Sequence, residues 1–124
     1  MSNVRKIIAD AMESLGLNYA YLEWLDDPVD MYFTGEYQEG EAVDESGQTD
    51  ISFILTGFSR VGIEALEEAK ETIKQHFDNV SGVVIADSSS AVAIFYAGSF
   101  PVRTMDAELK KIQVNLSVKE WSVN

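Results

Sequence analysis

A chain with one histidine, no cysteine and twenty-one carboxylates has a short menu of chemistry. Without cysteine there are no disulfides, thiolate metal sites or thiol nucleophiles. His76 has no second histidine with which to share a metal. It falls in the last turn of an expected helix, where a cation complements the helix dipole, so its expected role is structural. Ser88, Ser89 and Ser90 lack the Gly-x-Ser-x-Gly surround of a nucleophile elbow and read as turn residues. Asp26, Asp27 and Asp30, and again Glu41, Asp44, Glu45 and Asp50, offer oxygen ligands. Neither stretch has the Asp-x-Asp-x-Asp-Gly spacing and closing glutamate of a calcium loop, so both read as solvated charged loops. The glycines at 35, 40, 57, 62, 82 and 98 are scattered, which leaves no phosphate-cradling loop. No carboxylate pair is singled out as a glycosidase dyad. The expectation is a protein that is not an enzyme and needs no metal or cofactor.

What remains is charge. Between Glu23 and Asp50 stand ten acidic residues and no lysine or arginine, within a chain of net charge −12. Such a surface repels nucleic-acid phosphates and anionic membranes alike, so specific nucleic-acid binding and membrane association are not expected. A protein that avoids DNA, imitates DNA or meets a basic protein surface fits the sign. Residues 1–62 carry a balance of −9 and residues 63–124 only −3. Arg103, Lys110, Lys111 and Lys119 gather around the last expected strand. Their plain role is solvation and protection of a sheet edge. Their functional role is a subunit interface, because an acidic region and a basic one on the same chain complement each other head to tail and can close a ring.

The elements that must position these charges follow from periodicity. Val4, Ile7, Ile8, Ala11, Met12 and Leu15 recur at helical spacing, with Ser2 or Asn3 as cap and Gly16 just beyond, which predicts a helix over about residues 3–15. Tyr19 to Trp24 reads as extended, Asp26-Asp27-Pro28 as a turn, and Met31 to Gln38 as a strand. Glu39 to Gln48 is an acidic, glycine-bearing loop or hairpin tip, and Asp50 to Phe58 the return strand. On that strand Ile51, Phe53 and Leu55 share one side and Ser52, Ile54, Thr56 and Phe58 the other. Ile63, Leu66, Ala69, Ile73 and Phe77 stripe a second helix. Short strands follow at Val83 to Ala86 and Ala91 to Gly98. In the final strand Ile112, Val114, Leu116 and Val118 alternate with polar residues; Leu109 breaks that parity, which suggests a bulge near Lys110-Lys111. The fold class is α+β: one domain over 1–124, an antiparallel sheet with two main helices on one face and a long acidic β-hairpin. No apolar run reaches membrane-spanning length, and Ser2 to Lys6 do not open a secretory signal; lack of cysteine fits a cytoplasmic protein.

This layout resembles the tail terminator (tail completion) proteins of long-tailed bacteriophages, the lambda-type minor tail protein U group and its neck-terminator relatives. The likeness runs over nearly the whole chain. It begins with the amphipathic helix Val4-Arg5-Lys6-Ile7-Ile8-Ala9-Asp10-Ala11-Met12 and the strand Pro28-Val29-Asp30-Met31-Tyr32-Phe33-Thr34-Gly35-Glu36-Tyr37 leading to an acidic loop. It continues through the return strand Thr49-Asp50-Ile51-Ser52-Phe53-Ile54-Leu55 and the helix segment Ala65-Leu66-Glu67-Glu68-Ala69. It ends with the stretch Arg103-Thr104-Met105-Asp106 and the strand Ile112-Gln113-Val114-Asn115-Leu116-Ser117-Val118. The resemblance implies a structural virion protein, present in the host cytoplasm during assembly, that caps the tail tube as a homo-hexameric ring and presents a surface to the head-tail connector. It carries over no catalytic residues. It would place Glu39, Glu41, Asp44 and Glu45 near the ring lumen or a ring face, where negative charge lets DNA slide without sticking. A competing expectation of another class is an acidic DNA mimic that inhibits a DNA-binding protein.

Overall fold

The computed structural model describes residues 2–42, 49–78, 83–86 and 90–122. Its elements are α1 (Ser2–Ser14), β1 (Tyr19–Tyr21), β2 (Met31–Ala42), β3 (Thr49–Ser59), α2 (Ile63–His76), β4 (Val83–Ala86), β5 (Ser90–Val102) and β6 (Lys110–Ser122). The fold is α+β, as the periodicities predict. Helix α1 ends because Gly16 takes φ 75°; its N–H donates to the Glu13 carbonyl and that of Leu17 to Met12, both at 3.0 Å. This pair of bonds satisfies carbonyls that the end of a helix leaves open.

Six strands form one sheet in the order β1-β2-β3-β6-β5-β4, antiparallel except for β1 alongside β2. One face is apolar. Phe33, Ile51, Phe53, Leu55, Ile94, Ile112, Val114, Leu116 and Val118 are buried there with Val4, Ile8, Ala11 and Met12 of α1 and Leu66, Ala69 and Ile73 of α2. Both helices therefore cover the same face, and their stripes are those read from the sequence. Register allows this packing to be tight. Phe33 lies opposite Gly57 and Leu55 opposite Gly35. A Cβ on Gly57 would sit 2.5 Å from the Phe33 ring and 3.0 Å from Ile112, so only glycine admits the ring.

Three expectations are corrected. Strand β6 lies between β3 and β5, so its lysines do not protect an edge. The bulge is at Ala97 in β5, where register shifts between Tyr96 and Gly98, and Gly98 at φ 129° absorbs the kink. Lys110 and Lys111 instead pair without interruption with Ser59 and Phe58; Leu109 precedes the strand, and its N–H donates to the Asp106 carbonyl at 3.1 Å. Finally, Glu39 to Ala42, expected as loop or hairpin tip, belong to β2: Glu39 pairs with Ile51 and, after a second register shift, Ala42 pairs with Thr49. Asp44 and Glu45, together with the rest of the hairpin tip, lie outside the described residues, as do Ser88 and Ser89. Among the described residues no helix is long and apolar enough to cross a membrane.

Candidate interaction surfaces

Among the described residues no helix covers the sheet's second face. Its rows can be read from register. The first runs Tyr32, Phe58, Lys111, Val102; the next Thr34, Thr56, Gln113, Phe100; the third Glu36, Ile54, Asn115, Gly98. The first row is a stack. The Trp24 ring lies 5.5 Å from Tyr32, Tyr32 lies 5.0 Å from Phe58, both at 25° between planes, and Lys111 Nζ is 5.5 Å from the Phe58 centroid. Offset aromatic pairs and a capping cation attract through the ring quadrupoles. Tyr32 and Phe58 were legible as apolar residues on the off-core parity of their strands. Trp24, which comes from a loop, carried no such signal.

Trp24 also ties down the acidic loop: its indole N–H donates to the Asp27 carbonyl at 2.9 Å. The acidic block that is continuous in sequence is thereby divided in space. Asp26, Asp27 and Asp30 lead into the start of β2 through the loop that Trp24 holds against Tyr32, whereas Glu23 stands partway along the strand, next to Leu22, whose N–H donates to the Gly35 carbonyl. Glu39 and Glu41 lie toward the end of β2, a strand of twelve residues that spans about 37 Å. Acidic residues thus run along the β1–β2 flank rather than gathering in one place. The opposite flank, residues 90–122, carries Arg103, Lys110, Lys111 and Lys119 against Asp106, Glu108 and Glu120. Of the four expected interface residues, Arg103, Lys110 and Lys111 come together where β5 ends and β6 begins. Lys119 stands near the other end of β6, opposite Asp50 in register.

Three loops share the end at which Arg103 and Lys110 sit, and Arg60 joins them. Its backbone N–H donates to the Asp30 carbonyl at 2.9 Å, and its guanidinium lies 3.4 Å from the Asp106 carboxylate. That ion pair is half-exposed and contributes little energy, but it fixes position. The β5–β6 loop is pinned from within. The Thr104 hydroxyl shares its proton between the Asp106 carbonyl at 2.7 Å and the Leu109 carbonyl at 2.8 Å, and the Asp106 carboxylate accepts the Glu108 N–H at 2.9 Å. At its tip Met105 is fully exposed. In the β1–β2 loop Leu22 and Leu25 are 61% and 82% exposed. Leu22 holds φ 71°, and the N–H of Glu23 donates to the Tyr21 carbonyl across it at 2.9 Å. This is a γ-turn of the strained kind, in a region that leucine rarely enters.

Two shallow clefts flank Tyr19 beside α1, one reaching Glu13 and Trp24 and the other Arg5 and Tyr21, where the Arg5 guanidinium sits 4.2 Å above the Tyr21 ring. Neither brings a nucleophile to a base. His76 packs edge-on against Phe77 at 4.7 Å in the last turn of α2. Among the described residues no three His, Asp or Glu side chains converge as a metal site. No protein family and no curated protein matches this chain in sequence.

Proposed function

We propose that this chain is a structural protein of a bacteriophage or prophage virion, a tail terminator that caps the tail tube as a homo-hexameric ring and joins it to the head connector. The observation that carries the reading is the segregation of charge across one sheet. The β1–β2 flank holds acids without a base between residues 23 and 50, and the β5–β6 flank holds the cluster Arg103, Lys110 and Lys111. A two-fold dimer made through one flank alone would set like charges together. A heterologous contact sets opposite flanks together, and repeated around an axis it closes a ring. A tail-capping component needs such closure, because an open contact would polymerise. In this reading Glu39, Glu41, Asp44 and Glu45 face the channel, where they keep DNA from sticking.

Sedimentation velocity over a wide concentration range, with and without magnesium, tests the assembly. A discrete hexamer supports the reading, and a monomer or dimer at every concentration overturns it. Replacing the four hairpin acids by lysine should impair DNA passage or ring formation; undiminished phage yield would remove the channel assignment. The competing reading, a DNA mimic, draws on the spread of acidic residues along the β1–β2 flank from Glu23 to Glu41. It requires tight binding to a basic DNA-binding protein with a steep salt dependence. No binding at low salt eliminates it.

A further inference from the structure

We infer that the contact between ring subunits joins the β1–β2 loop of one copy, through Leu22, Leu25, Asp26 and Asp27, to the β5–β6 corner of the next copy, through Phe100, Arg103, Met105 and Lys110. The inference rests on the ring-forming reading above and names the surfaces that reading requires.

Four observations converge on it. First, the described residues expose five large apolar side chains, Leu22, Leu25, Val61, Phe100 and Met105. Leu22 and Leu25 lie on the acidic flank, while Phe100 and Met105 lie beside Arg103 on the basic one. Each flank thus offers apolar anchors rimmed by charge, and the two rims have opposite sign. Second, both surfaces are held in place before any partner arrives. Thr104 and Asp106 pin the loop that presents Met105, and the Trp24 indole pins the loop that presents Leu25. Ordering paid for in advance lowers the entropy lost on binding. Third, Leu22 remains exposed in a strained conformation, and strain of this kind accumulates at clamps and contact sites.

The fourth observation is geometric. Both surfaces lie in the same half of the sheet, across its width from each other: Leu22 bonds to Gly35, Phe100 shares a row with Thr34, and Arg60 joins the loops between them. Rotation about an axis moves every copy sideways and leaves its height unchanged. Patches that meet in a cyclic ring must therefore stand level, and these two stand level for an axis along the strands. Contact between the far end of β2, at Glu39 to Ala42, and the basic corner would join opposite ends of the sheet and propagate as a filament. Strand addition is also disfavoured. β4 pairs only with Ala91 to Ile94, but the rest of β5 carries a bulge at Ala97 and Pro101, which has no N–H to donate. Side chains, not a continuous sheet, make the contact.

Charge exchange tests it. Two full-length variants are compared with the wild type by sedimentation velocity, Asp26→Lys with Asp27→Lys, and Arg103→Glu with Lys110→Glu. All four side chains are exposed, and circular dichroism checks that each variant folds. Each variant alone should associate more weakly by roughly tenfold or more. Mixed in equal amounts they should assemble again, because alternating copies pair either two native flanks or two exchanged ones. If the wild type assembles and each variant assembles as well as it does, the contact is wrong and the ring reading stands. If neither variant assembles and the mixture stays dissociated, these two flanks do not meet. If the wild type is monomeric throughout, the ring reading falls and the contact falls with it. Leu25→Ser with Met105→Ser should weaken assembly without any change of charge, and unaltered assembly would remove the apolar anchors.

Discussion

Replacing Tyr19 by phenylalanine should make the protein more stable. Tyr19 belongs to the edge strand β1 and turns its ring toward the core face beside Gly35 and Phe53. Its hydroxyl is buried, yet it has no hydrogen-bond partner among the described residues. A hydroxyl in that position has lost water and gained nothing, which costs about 1–3 kcal/mol. Phenylalanine keeps the packing and removes the orphaned group, so a gain of about 1 kcal/mol is expected. For a chain of this length that raises Tm by about 4 °C. The pH dependence gives an independent reading. Burial raises the Tyr19 pKa well above its ordinary value of 10. Above pH 10 the unfolded chain therefore sheds a proton that the folded chain keeps, and wild-type stability falls as pH rises toward the folded pKa. The gain from Tyr19→Phe should grow there by up to about 1.4 kcal/mol per pH unit, less where water screens the ring. Urea denaturation of both proteins at pH 7, 9 and 11 measures it, and other tyrosines and lysines cancel in the difference. A loss of stability at pH 7, or a difference that stays constant to pH 11, would refute the reasoning.

Other substitutions probe the same framework. Gly57→Ala places a methyl group between the buried Phe33 ring and Ile112 in a central strand, and should cost about 3 kcal/mol, or roughly 11 °C in Tm by calorimetry. A cost below about 1 kcal/mol would mean that the ring moves aside. Leu22→Gly relieves roughly 1–2 kcal/mol of backbone strain at φ 71° against about 0.5–1 kcal/mol of added chain entropy. It should leave the monomer as stable as before or slightly more so, while sedimentation shows weaker assembly. Thr104→Val strips the β5–β6 loop of its central hydroxyl and should cost about 1 kcal/mol in urea denaturation while reducing association.

Local structure was legible because it follows from spacing. The stripe Ile63, Leu66, Ala69, Ile73 and Phe77 became α2 with Leu66, Ala69 and Ile73 buried, and the parity of Ile51, Phe53 and Leu55 became the core face of β3. Strand order was not legible. The alternation in β6 says which residues face the core, but it is the same for an edge strand as for one inserted between β3 and β5. The parity break at Leu109 misled because parity is a rule for paired residues, and Leu109 is not paired. The acidic block misled in another way: residues close in sequence are carried far apart by an extended strand, so Asp30 and Glu41 mark different ends of β2. For the candidate interface, residue types were visible and neighbours were not. Arg103, Lys110, Lys111 and Lys119 read as one cluster, but the length of β6 carries Lys119 to its other end, opposite Asp50, whereas Leu25 and Met105 acquire meaning only from exposure and from the loops that hold them.

The open sheet face limits how copies can meet, and salt can reveal it. Beyond the aromatic row, Ile54 and Phe100 are set among Thr34, Glu36, Thr56, Gln113, Asn115 and Ser117, polar groups that an apolar partner would strand. Association must then come from a few anchors and from charge at the flanks, while every copy carries −12 and repels the next at long range. These two electrostatic effects respond to salt over different distances. The screening length falls from about 30 Å at 0.01 M to about 10 Å at 0.1 M and about 3 Å at 1 M. Adding salt to about 0.1 M removes the long-range repulsion before it reaches the close flank contacts; adding more then weakens those contacts as well. Assembly measured by sedimentation velocity should therefore pass through a maximum near about 0.1–0.2 M. A steady rise to 1 M would mean that Leu22, Leu25, Phe100 and Met105 hold the ring with no help from charge. A steady fall from the lowest salt would mean that attraction between the flanks outweighs the net charge at every distance.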